Sequence, residues 1–294
     1  MSHRAEEPCR IASLPDRGLV RVSGPDAKGF LQGLVTNDMD KTHAGGAIHA
    51  GLLTPQGKIL FDFFVVPDGD GFLVDAPKDA VEALAKRLSF YKLRADVAIT
   101  EEPTLSVAAA WGTSLPLPDH AIAFADPRLE ALGIRMILPE GAALPDADCA
   151  SANEADYHAH RIRLGVPDGG RDYAYNEAFP HEALYDQLHG VDFEKGCYVG
   201  QEVVSRMQHR GTARKRVVHV EGDGPLEPGA DVEAGTLPVG RIGSVNGARG
   251  LALLRLDRVA SANAKGTPTQ AGGTTITVRL PDFATFKLPS AEGA

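Results

Sequence analysis

The eight residues KGCYVGQE, Lys195 to Glu202, gather more chemically capable side chains than any other short stretch of the chain. Two glycines bracket Cys197 and Tyr198, which permits a sharp backbone turn and close approach by another group. The following VGQEVVSRMQ carries Val199, Val203 and Met207 at helical spacing, which predicts that Cys197 lies at or just before a helix N-terminus. The positive end of a helix and the nearby Lys195 ammonium both favour a thiolate over a thiol. Such a cysteine is a nucleophile or a soft-metal ligand, and Cys197 is the side chain expected to carry activity. Lys195, Tyr198, Gln201 and Glu202 complete the candidate catalytic group.

Plainer alternatives stand beside these. A free cysteine is most often a small buried hydrophobe. An inert one, however, has no need of Lys195, two glycines, Gln201 and Glu202 packed around it. Gln201 and Glu202 also read as solvated residues of a first helical turn, where the dipole favours a carboxylate. Downstream, Arg206, His209, Arg210, Arg214, Lys215 and Arg216 form a basic run. Arg206 and Arg210 are four apart and share a helix face that could line an anion site. Lys215 and Arg216 read as a solvated charged face, and without aromatic interleaving the run gives little support to single-stranded nucleic acid binding. Cys9 and Cys149 have no motif around them and read as incidental.

The elements that must position the motif are mixed. GLVRVSG (18–24) reads as a strand, with a helix beginning near Pro25. After a loop at Gly45 and Gly46, IHAGLLT and KILFDFFVV read as strands separated by Pro55, Gln56 and Gly57, and DGDG (68–71) turns into FLVDA. Val81, Leu84, Ala85, Leu88 and Tyr91 mark one face of a helix over 77–93. DVAIT and LSVAAAW follow as strands, SLPLPDH (114–120) as a surface connection, and a helix runs from Glu154 to Leu164 behind Asn153 or Ser151. Beyond Gly211 the chain changes to short strands spaced by Gly and Pro, the texture of a small β-barrel or sandwich. KLPSAEGA reads as a loose tail. The fold class is α+β, divided into an N-terminal α+β part (1–102), a middle α+β part carrying the motif (103–212) and a C-terminal β-barrel (213–294), the first two free to interleave.

At 294 residues the chain is long enough for two or three packed units. A formal charge of -9 disfavours a general nucleic-acid or membrane-surface role, and no run of eighteen apolar residues offers a spanning helix. Three cysteines, odd in number and without a CxxC pair, suggest neither a disulfide framework nor a self-contained zinc site, which favours a reducing compartment. The N-terminal residues lack an apolar h-region and carry Glu6 and Glu7, unlike an acid-poor transit peptide. A cytoplasmic protein, monomeric when isolated, is the expectation.

KGCYVGQE resembles the signature of the YgfZ-type, folate-binding-like proteins, relatives of the glycine cleavage system T-protein (aminomethyltransferase). SGPDAKGFLQGLVTND (23–38), LLTPQGKILFDFFV (52–65), FYKLRADV (90–97) and GTARKR after the motif look like the family's blocks in the family's order. HRIRLGVPDGGRD (160–172) followed by FPHEALYDQLHGVDFEKGCYVGQE most resembles the branch of mitochondrial-type iron-sulfur assembly proteins. The resemblance implies a three-domain ring of the T-protein type with a C-terminal β-barrel. It also implies a role in late 4Fe-4S assembly or repair, tetrahydrofolate as a ligand, and Cys197 as the essential thiol. Asn37 and Asp38 resemble the family's cavity-lining pair, though as residues they are also turn and cap formers. Asp62, Arg94, Arg206 and Arg210 are the remaining candidates for holding a cofactor.

Two departures from the T-proteins rank the functions. T-proteins carry paired Asp residues where this chain has Phe61 and Asp62, and a pterin-gripping Glu where RIRLG places Arg163. A guanidinium accepts no hydrogen bonds, so that recognition is lost. The favoured function is a cluster-maturation factor, rather than a classical aminomethyltransferase, in which Cys197 shares a cluster with a partner. One thiolate cannot complete a four-ligand cluster shell, so an A-type carrier, a glutaredoxin-like protein or glutathione supplies the rest. A tetrahydrofolate-dependent transferase using Asp62 and a thiol redox protein are the alternatives.

Overall fold

The structure is a computed structural model that describes residues 8–42, 46–113, 121–145, 149–211 and 213–289. The expected connection at 114–120, Gly45 in the expected glycine loop and the end of the tail lie outside the described residues. The fold is α+β, as expected. The described residues group into two compact units, each drawn from three stretches of sequence: 1–53, 61–158 and 189–199 in the first, 54–60, 159–188 and 200–294 in the second.

The first unit is built on two five-stranded sheets. Its strands are β1 (Arg10–Ser13), β2 (Arg17–Ser23), β3 (Ile48–Leu53), β4 (Ile59–Asp68), β5 (Gly71–Pro77), β6 (Ala98–Glu101), β7 (Leu105–Trp111), β8 (Ile122–Ala125), β9 (Ile134–Pro139) and β10 (Ala150–Ser151). One sheet has the order β3-β4-β5-β2-β6 and the other β10-β1-β7-β9-β8. The period-2 alternation of strands explains how the first sheet is buried on both faces. Val20, Val22, Phe63, Val65 and Val74 pack with Leu31 of α1 (Ala27–Gln32) and with Leu84 and Leu88 of α2 (Val81–Tyr91). Their neighbours Leu19, Phe64, Val66 and Leu73 point the other way, into a core with Ala12, Val107, Ala109 and Trp111 of the second sheet. The helix expected over 77–93 is α2 preceded by a single 3-10 turn at Lys78–Ala80.

One buried carboxylate in this unit is matched by two guanidinium groups. Asp75, fully buried on β5, accepts from Arg17 Nε at 2.7 Å and from Arg135 Nη2 at 2.7 Å. A carboxylate in such a place requires this compensation.

Two residues expected to be incidental are paired. Cys9 and Cys149 form a disulfide that ties the start of β1 to the start of β10, with Cα atoms 4.5 Å apart. The sequence reading missed it because the partners are 140 residues apart, and parallel pairing of β1 with β10 is what brings them together.

The second unit contains a closed barrel of order β11-β14-β13-β12-β15-β16, formed by β11 (Lys215–Gly222), β12 (Asp231–Ala234), β13 (Leu237–Asn246), β14 (Arg249–Arg255), β15 (Thr269–Ala271) and β16 (Thr274–Arg279). β11 closes it by pairing antiparallel with both β14 and β16, which leaves no free sheet edge. Val218, Val220, Val232, Ile242, Ala252 and Leu254 fill the core together with Leu256, Val259 and Ala262 of α5 (Leu256–Ala264), a helix the sequence reading did not anticipate. α3 (Glu154–Leu164) is the expected helix and carries RIRL of the RIRLG stretch, and α4 (Gln201–Arg210) begins with the last two residues of the motif.

Candidate functional site

The chain passes from the first unit to the second within KGCYVGQE, between Val199 and Gly200. In the first unit the loop holding Cys197 is anchored by its neighbours. Lys195 is buried, and its ammonium donates to the carbonyls of Gln32 at 2.8 Å, Val35 at 2.6 Å and Asn37 at 2.9 Å. Three acceptors match the three donors of a charged ammonium. Burial pulls the Lys195 pKa down to about 8, against the opposing pull of the Asp38 and Asp192 carboxylates. Tyr198 is buried as well, its ring centroid 5.1 Å from Lys195 Nζ, and burial holds its hydroxyl well above the ordinary phenol range. Val199 packs against the α1 and α2 core. Among these fixed side chains Cys197 is exposed.

Asp192, which the sequence reading passed over, sets the loop's turn. Its Oδ1 accepts from the backbone N–H groups of Glu194 at 2.7 Å and Lys195 at 2.9 Å, and its Oδ2 lies 2.7 Å from Lys41 Nζ. Burial would raise its pKa, but Lys41 and the two N–H donors hold it below the ordinary carboxylate value. The Asp-x-Glu-Lys spacing is an Asx-turn signal that could have identified it. Thr36 adds a further tie, donating from Oγ1 to the Gly190 carbonyl at 2.6 Å.

The structure brings Lys195 together with the TND block named on resemblance. Asn37 is buried and donates from Nδ2 to the carbonyls of His49 and His189, at 2.9 and 2.7 Å, while its Oδ1 accepts from Asp38 N. Asp38 accepts from Asp40 N at 2.9 Å and from Gln32 Nε2 at 3.0 Å. Both side chains hold the backbone on which Lys195 docks. Asp62 is buried on β4, and Arg94 is exposed in the loop after α2.

In the second unit α4 begins at Gln201, four residues after Cys197, so the cysteine is outside the helix it was expected to adjoin. Gly200 precedes it with φ +84 and no side chain caps the N-terminus. Gln201 is half-buried, and Glu202, Arg206 and Arg210 are exposed. Arg216 differs from the solvated face expected of it. It is buried, donating to Asp186 Oδ1 at 2.8 Å, Asp186 Oδ2 at 3.0 Å and the His181 carbonyl at 3.1 Å. A guanidinium leaves water readily for a bidentate carboxylate. Arg163 lines a cavity of about 170 Å³ with His219, Glu221, Arg249 and Arg279.

Comparison with known proteins agrees with this architecture. Residues 214–286 match the CAF17 C-terminal beta-barrel domain. The solved aminomethyltransferase T of the glycine cleavage system from Bartonella henselae superposes with a TM-score of 0.77 at 16% identity, covering 95% of this chain and 87% of that one. That likeness shows the fold. Mitochondrial iron-sulfur cluster assembly factor IBA57 of Homo sapiens is 35% identical over 276 residues, 84% of this chain and 77% of its own length. The Mus musculus protein of the same name is 33% identical over 279 residues with the same coverage. The Neurospora crassa homologue is 34% identical over 244 residues, and the match spans 74% of this chain but 56% of that relative's length.

These relatives carry mitochondrial names, which overturns the cytoplasmic expectation. That expectation rested partly on unpaired cysteines, and the Cys9–Cys149 bridge removes that support too. From the length and level of its identity to the mammalian proteins, the chain belongs to the family of the iron-sulfur cluster assembly factor IBA57.

Proposed function

We propose that this chain is a mitochondrial-type iron-sulfur assembly factor acting late in 4Fe-4S protein biogenesis, with Cys197 as one ligand of a cluster shared with a carrier protein. The observation that carries this reading is the contrast within one loop. Lys195 and Tyr198 are buried and tied down, while Cys197 between them is open to solvent. A thiol held in place on a fixed backbone can enter a partner's coordination shell with little ordering cost. On binding iron it yields its proton to solvent, and since a cluster needs four ligands the carrier's cysteines or glutathione supply the others. An A-type carrier or a glutaredoxin-like protein is the partner this chemistry suits.

Tetrahydrofolate does not fit in the T-protein manner. The acid that grips the pterin in T-proteins is replaced in RIRLG by Arg163, and a guanidinium does not accept from a pterin's amino group or ring N–H. Aminomethyl transfer through Asp62 is set aside on that ground.

The reading is tested by mixing the purified protein with an A-type carrier, ferrous iron and sulfide and recording the visible absorption. Cluster bands that depend on both proteins and vanish with Cys197→Ser are expected. Bands unchanged by that substitution would show that Cys197 is not a ligand.

A further inference from the structure

α2 presents two unlike faces. Val81, Leu84 and Leu88 are buried in the core, while Lys86, Arg87 and Phe90 point outward, followed by exposed Lys92, Leu93 and Arg94. Phe90 is 74% exposed and Leu93 92%. A single apolar side chain in water is ordinary. Here two lie three residues apart, Phe90 meets the Tyr91 ring edge-on with centroids 6.0 Å apart, and Leu93 is held at φ +42. A non-glycine residue in that left-handed region is strained. Lys86, Arg87, Lys92 and Arg94 form no ion pair with any described residue. The nearest exposed acids along the chain are Glu82, one helical turn before Lys86, and Asp96, two residues after Arg94, and no ion pair joins either to the four cations. The patch around the two apolar side chains therefore carries a local excess of positive charge, four cations against two flanking acids, on a chain whose formal charge is -9.

An apolar centre with a rim of long cationic side chains is the anatomy of a protein-binding surface, in which aromatic anchors supply affinity and charges supply steering. We propose that the outer face of α2 with the loop to Arg94 is the docking surface for the cluster-carrying protein, which meets it with an apolar depression rimmed by carboxylates. This rests on the shared-cluster reading above. The charge complementarity selects an acidic partner, and two apolar side chains are too few to anchor the chain on a lipid surface.

The test titrates an A-type carrier into the full chain by calorimetry and follows association by stopped flow at two salt concentrations. Phe90→Ala with Leu93→Ala is expected to weaken the complex at least about tenfold through faster dissociation. Lys86→Glu with Lys92→Glu is expected to slow association and flatten its salt dependence. Unfolding midpoints of both variants, expected to match the wild type, separate loss of docking from loss of folding. If the wild type binds and both variants bind equally well, the surface is wrong while the shared-cluster reading stands. If the carrier does not bind the wild type, both fall, and cluster bands dependent on Cys197 would be missing too. Flotation with phosphatidylcholine vesicles, with and without phosphatidylserine, completes the comparison. Wild-type binding to the anionic vesicles that Phe90→Ala abolishes would assign the face to a membrane and overturn the proposal.

Discussion

The Lys195 ammonium stands 5.1 Å from the centroid of the Tyr198 ring, and Cys197, between them in sequence, faces solvent. The flanking residues are held inside the protein and the thiol is left outside. Lys195 thus acts on Cys197 through the backbone it anchors, since its three donors are engaged with the carbonyls of Gln32, Val35 and Asn37.

Lys195→Met keeps the length of the side chain but leaves those three carbonyls without donors. A loss of about 3 kcal/mol in unfolding free energy is expected, the order found when a buried charged partner is removed. Urea unfolding measures it. Cluster bands should weaken in the same variant although Cys197 is intact, because its loop is no longer held.

Cys197→Ser should leave stability within about 0.5 kcal/mol of wild type, as for other exposed positions. Titration of the native, unreduced protein with a thiol reagent should find one reactive thiol in the wild type and none in the variant, since Cys9 and Cys149 are paired. A second reactive thiol in the native protein would mean that the bridge is open.

Asp192 has a folded-state pKa below its ordinary 3.8. A depressed carboxylate pKa means that the unfolded chain binds the proton more tightly, so its stabilisation is present in full above the ordinary value and disappears as pH falls through the folded-state value. Asp192→Asn should therefore be less stable than wild type at pH 7, with the gap closing below about pH 4. Urea midpoints of the two proteins across that range check the sign. A gap that widens on acidification would contradict it.

The Cys9–Cys149 bridge closes a loop across 140 residues. In the chain-entropy account such a crosslink stabilises by about 5 kcal/mol. Dithiothreitol should lower the urea midpoint of the wild type and leave Cys9→Ser/Cys149→Ser unmoved. Cluster bands with the carrier should persist in that double variant, separating the structural cysteines from Cys197.

Gly57 has φ +79, and a Cβ there would lie 2.9 Å from Val203 Cβ and 3.2 Å from the Gly200 carbonyl. Gly57→Ala should cost roughly 1–3 kcal/mol, readable as a lowered thermal midpoint, with the clash falling on the first turn of α4.

Much of the fold was legible from local patterns. The apolar runs KILFDFFVV and FLVDA, bounded by turn residues, announced β4 and β5, the spacing of Val81, Leu84 and Leu88 announced α2, and the strand-and-turn texture after Gly211 announced the barrel. These readings succeed because periodicity of two or three and a half residues reports which side of an element is buried. α5 escaped because its short apolar stretch, LDRVASANA, continues directly from the equally apolar β14 with no cap to mark the change.

The sequence by itself determined the α+β class, the gathering of chemically capable side chains around Cys197 and the arginine in RIRLG at Arg163, all of which are matters of residue type and near spacing. Only the tertiary structure decided what the charged and sulfur-bearing side chains meet. Lys195 reaches carbonyls 158 to 163 residues away, Cys9 finds Cys149, and Arg216 turns inward to Asp186. Hydrogen bonds and ion pairs act over a few ångströms in space. Which distant groups come within that range depends on how the strands pair and the loops return, and no local pattern records it.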